Sequence, residues 1–77
     1  MTNKEIQLGL YNSTIERLKN NKLEAMFYSR ESLVNKFSNL IIKHFSDYNL
    51  DSSELDSEKV KHNVNVCIDT VLGVDFI

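Results

Sequence analysis

The sequence predicts an all-α chain: a small three-helix bundle or helical-hairpin assembly that pairs as a homodimer. Three observations carry this. Apolar residues recur at spacings of three and four in three separate stretches, the period of a helix face. Each stretch follows a residue that caps helices (Thr2, Ser29, Asp56), and the sequence contains no proline. The 77 residues form one domain, 1–77, near the size at which a single core is only marginally stabilising. Donating surface to a second copy is a ready source of further burial.

The first helix is expected over about residues 3–20. Thr2 and Glu5 stand in the capping-box arrangement, and Leu8, Tyr11, Ile15 and Leu18 follow at spacings of 3, 4 and 3. Gly9 inside it costs on the order of 1 kcal/mol relative to alanine. Asn20-Asn21 reads as a break. Residues 22–28, KLEAMFY, admit three readings: a continuation of the helix, a short separate turn, or an apolar linker packed beneath the other helices.

The second helix is expected over about 30–48. Ser29 serves as its N-cap, with Tyr28 and Leu33 placed as a hydrophobic staple. Leu33, Val34, Phe37, Leu40, Ile41, Phe45 and Tyr48 then cover an arc of about 140° at 100° per residue. That width suits two neighbours, so this helix is expected at the centre. Ile42 falls outside the arc and is the first exposed apolar candidate for an interface.

The last segment, VNVCIDTVLGVDFI, reads two ways. By twos it is a strand; by threes and fours, joined to Val60, it is a helix with Val60, Val64, Cys67 and Val71 in one stripe. A buried strand needs a partner for its amides, and the rest of the chain offers only KLEAMFY. The helical reading has Asp56 as a cap, Leu55 as a staple, and Gly73 placed to end the helix in the left-handed conformation, with Val74 packing back on Ile68. The helix over about 57–72 is preferred, despite the modest helix propensity of its β-branched residues. The apolar tail 74–77 then tucks onto its own chain or enters a partner's groove.

Composition excludes more than it assigns. A formal charge of -2 argues against a generic phosphate-backbone binder. One cysteine cannot close an intramolecular disulfide, the start MTNKEIQLGL lacks the pattern of a signal peptide, and no apolar run approaches the roughly 20 residues that cross a bilayer. The expected location is the cytoplasm, with no membrane association. His44, His62 and Cys67 point in different directions by helical register, so neither a metal nor a cofactor is expected. With no nucleophile elbow and no glycine-rich phosphate loop, the chain reads as non-enzymatic.

Charge is split along the chain. Residues 1–46 hold seven basic against four acidic residues, a net of +3, whereas 47–77 hold two against seven, a net of -5. The acidic run Asp47, Asp51, Glu54, Asp56 and Glu58 suits loop solubility and the start of a helix. It also suits an edge that docks on a basic groove of a larger protein, such as one that itself binds nucleic acid. Within that run, Ser52-Ser53-Glu54-Leu55-Asp56 resembles the S-Q-E-L-D signature of the small helical-hairpin phosphatases that act on sporulation response regulators. The likeness covers five residues, has Ser53 where the family has glutamine, and lacks its following tyrosine, so no residue role is carried over.

The functional expectation is a small protein-interaction module that regulates or inhibits a larger protein by steric occlusion, as compact phage or mobile-element proteins do. The expected surface is Ile42, Val74, Phe76 and Ile77, rimmed by the acidic run. The alternative is a dimeric nucleic-acid-associated regulator using Arg17, Lys19, Lys22, Arg30, Lys36 and Lys43; direct nucleic-acid binding is the weaker of the two readings.

Overall fold

The computed structural model describes residues 3–47 and 56–77. These residues form four helices and no strand: α1 (Asn3–Asn20), α2 (Lys22–Ala25), α3 (Arg30–Asp47) and α4 (Ser57–Leu72). The last segment is therefore helical. The Asp56 carboxylate accepts the Glu58 amide at 2.9 Å, which satisfies one of the free donors at the start of α4. Gly73 ends the helix at φ 100, ψ 154. That is not the left-handed helical conformation expected from sequence but a region open essentially to glycine alone.

The helix at the centre is α4, not the one built from residues 30–47. Both α1 and α3 pack on α4, and their contact with each other is slight. The physical reason is visible in α4 itself. Val60, Val64, Cys67 and Ile68 are buried, and Val71 and Leu72 are packed against them. Together these six span about 140° of the helix at 100° per residue, wide enough for two neighbours. The buried residues of α3 cover a similar arc, but Leu40, expected within it, is 41% exposed; Tyr48 lies outside the described residues.

The inward face of α1 also departs from its apolar stripe. Leu8 is 55% exposed, while Thr14 is buried beside Leu18. Thr14 can be buried because its hydroxyl donates to the Leu10 carbonyl at 3.0 Å, leaving only a methyl to pack. Two other buried hydroxyls, Tyr11 OH and Ser38 Oγ, have no partner among the described residues.

The Thr2–Glu5 capping box falls partly outside the described residues. Ser29 does cap α3, its Oγ accepting the Ser32 amide at 3.1 Å. Tyr28, expected to staple onto Leu33, is half exposed instead. Residues 22–28 are a separate turn: α2 is four residues long, and the chain continues through Phe27 N–H to Glu24 O and Tyr28 N–H to Ala25 O bonds.

Arg30 at the start of α3 donates to carbonyls just past the end of α4, so α3 and α4 run antiparallel. A groove lined by Leu10 with His44 at one end and Asn21 with Leu33 at the other makes α1 and α3 antiparallel too. One end of the molecule therefore carries α2, the start of α3 and the tail; the other carries Asp47 and the start of α4. Among the described residues, no helix is long and apolar enough to cross a membrane.

Candidate docking surface

α2 and the turn that follows it point their largest apolar groups outward. In a helical turn Leu23, Met26 and Phe27 fall within about 100° of one another, and Ala25 falls on the opposite side. Ala25 is buried, whereas Leu23 is 80%, Met26 53% and Phe27 88% exposed. The linker is thus not packed beneath the other helices, as one reading of the sequence had it. The smallest apolar residue of the turn faces the core, and the three bulky ones face solvent. Single exposed apolar residues are ordinary, but three on one turn form a patch that association would cover.

The tail adds to the same end. Val74 is 76% and Ile77 92% exposed, so Val74 does not pack back on Ile68. Phe76 instead turns in against the core, with its amide on the Gly73 carbonyl at 3.2 Å. Arg30 holds it there. Its guanidinium donates to Gly73 O at 3.1 Å, to Asn65 Oδ1 at 3.2 Å and to Phe76 O, pairs with Asp69 at 2.8 Å, and lies 5.9 Å from the Phe76 ring centroid. Arg30 is accordingly an internal clamp and not part of a basic surface for nucleic acid.

The structure separates the surface that the sequence suggested. Ile42 is half-buried and is no exposed interface residue. Asp47, Asp56 and Glu58 are exposed at the far end from Val74, Phe76 and Ile77, about 24 Å away along the 16 residues of α4. Asp51 and Glu54 lie outside the described residues. No acidic rim formed by Asp47, Asp56 and Glu58 surrounds the tail, and Asp56, as a cap, cannot be charge-reversed without loss of stability.

Of the remaining basic residues, Arg17, Lys19, Lys22, Lys36 and Lys43 are exposed. Arg17 and Lys36 line the groove between α1 and α3. The Lys36 ammonium sits 5.9 Å from the ring centroids of both Tyr28 and Phe37. His44 is half-buried, His62 exposed, and Cys67 buried with its thiol on the Tyr11 carbonyl at 3.7 Å. Burial pushes the Cys67 thiol up from its ordinary value, against a smaller opposing backbone hydrogen bond. Such a thiol is a poor nucleophile. Among the described residues no three of His, Cys, Asp and Glu gather closely enough to hold a metal ion.

No protein-family model, curated protein or solved structure matches the chain.

Proposed function

We propose that the chain is a non-enzymatic protein-interaction module, a three-helix bundle that regulates or inhibits a larger protein by covering part of its surface. The observation that carries this reading is the outward cluster Leu23, Met26 and Phe27 at the same end as Val74 and Ile77. Burying these side chains on a partner removes apolar area from water at about 25 cal/mol per Å². Bulky apolar and aromatic anchors of this kind dominate protein interfaces.

The test is capture from host lysate, with and without nuclease, using the intact chain and a Leu23→Ser/Phe27→Ser variant. A nuclease-resistant, stoichiometric protein that the variant fails to capture supports the reading. Both side chains are so exposed that the variant should melt within about 2 °C of the parent. Unchanged capture by the variant refutes it. The homodimer expectation attaches to the same cluster, and light scattering of the parent and this variant decides it. A catch lost on nuclease treatment would favour the nucleic-acid alternative, carried by Lys19 and Lys22 beside the cluster.

A further inference from the structure

Because α1 and α3 both lean on α4 and barely meet, an open groove runs between them on the side away from α4. It consists of two adjoining pockets of about 440 and 290 Å³ that share Arg17, Phe37 and Leu40 as walls. The floor is largely apolar, formed by Leu10, Leu18, Leu33, Phe37 and Ile41 with Thr14, whose hydroxyl is already bonded to the Leu10 carbonyl. From Leu33 to His44 the groove follows twelve residues of α3, about 16 Å or three helical turns at 1.5 Å per residue.

We propose that this groove is the seat of an acidic amphipathic helix, about three turns long, supplied by the partner protein. The inference rests on the interaction-module reading and names the chemistry of one partner element. A helix is the fitting occupant because it satisfies its own backbone, and an apolar floor offers no hydrogen bonds. It would lie along two antiparallel helices, as the fourth member of a four-helix arrangement does.

The sign of its charge follows from the walls. Arg17 and Lys36 line the groove, and helical register puts Lys43 on the same side of α3 as Lys36. The one carboxylate among the lining residues is Glu24. Carboxylates on the flanks of an incoming helix meet these cations, while lysines there meet like charge and are rejected. The same walls disfavour a second copy docking groove to groove, which would set Arg17, Lys36 and Lys43 against themselves.

The probe is a pair of synthetic 14-residue amphipathic helices with identical Leu/Phe faces, one with Glu and one with Lys on the flanks. Each is titrated into the full chain and followed by amide chemical shifts. The expected result is at least tenfold tighter binding of the Glu peptide, with shifts concentrated at Leu10, Arg17, Phe37 and Leu40. An Arg17→Glu/Lys36→Glu variant should reverse the preference, and Leu40→Asp should abolish binding while the melting curve of each variant reports its fold. Equal binding of both peptides overturns the acidic occupant and leaves a docking module standing. No shifts in the groove with either peptide overturns the groove as a seat. Dimerisation that Leu40→Asp abolishes, or displacement of the Glu peptide by a single-stranded oligonucleotide, assigns the groove to a second copy or to nucleic acid and equally overturns the proposal.

Discussion

Replacing Arg30 with methionine keeps most of the aliphatic stem and removes the guanidinium, so it isolates the clamp between α3 and the tail. Three contributions disappear. The ion pair to Asp69 is worth little, about 0.5–1 kcal/mol, because the two side chains are 21% and 37% exposed and water screens them. The bonds to Gly73 O, Phe76 O and Asn65 Oδ1 are charge-assisted, worth about 1.5–3 kcal/mol each when fully desolvated. Water reaches Gly73 O and Phe76 O once residues 74–77 lift, and Asn65 in α4 is only half-buried, so most of that value is recovered by hydration. The contact with the Phe76 ring adds about 0.5–1 kcal/mol. A net loss of about 2 kcal/mol is expected, a fall in Tm of roughly 8–16 °C for a domain of this size. Urea denaturation of the parent and of R30M gives the stability difference, and amide exchange at Phe76 reports release of the tail. In a double-mutant cycle with Asp69→Asn, the coupling should stay below about 1 kcal/mol. A total loss under about 0.5 kcal/mol, or an unchanged Phe76 exchange rate, would refute the clamp.

The two glycines should respond to alanine with opposite signs. Gly73→Ala is expected to cost about 1–3 kcal/mol, because φ 100 with ψ 154 strains any side chain although no atom lies within 4 Å of the new Cβ. Gly9→Ala, mid-helix with the same open space, should stabilise by about 0.5–1 kcal/mol; denaturation curves of the pair test both. Cys67 makes stability depend on alkaline pH. Its thiol is held above the ordinary value, so above about pH 9 the unfolded chain loses the proton first and the folded state is disfavoured. The stability advantage of the parent over Cys67→Ala should therefore shrink as pH rises from 7 to 10, and a gap independent of pH would contradict the burial of the thiol.

Much of the local structure was legible because caps act within a few residues. Ser29 and Asp56 mark the starts of α3 and α4, and Gly73 marks the end of α4, each for a reason confined to one turn of backbone. Packing order was harder to see. The stripe Val60, Val64, Cys67 and Val71 is narrow only if Ile68 and Leu72 are left out, and these two bring α4 to the breadth that suits two neighbours. On α1 the signal was hidden, since a threonine whose hydroxyl is satisfied within its own helix packs like a small apolar residue. In KLEAMFY both faces of the turn are apolar, so periodicity has nothing with which to tell inside from outside. The candidate surface was missed at that point, and an apolar turn between two long amphipathic stretches was the one available signal.

That the middle helix follows both of the helices it carries has a consequence for synthesis. α1 and α3 lie apart from each other, and both wait for residues 57–72 to give them a surface to pack on. At about 5–20 residues per second those sixteen residues take roughly one to three seconds to translate. During that interval two half-apolar helices stand open on the ribosome. A chain cut short before Ser57 would expose them for good, and nascent-chain proteolysis of staged lengths should show protection arriving in a single late step.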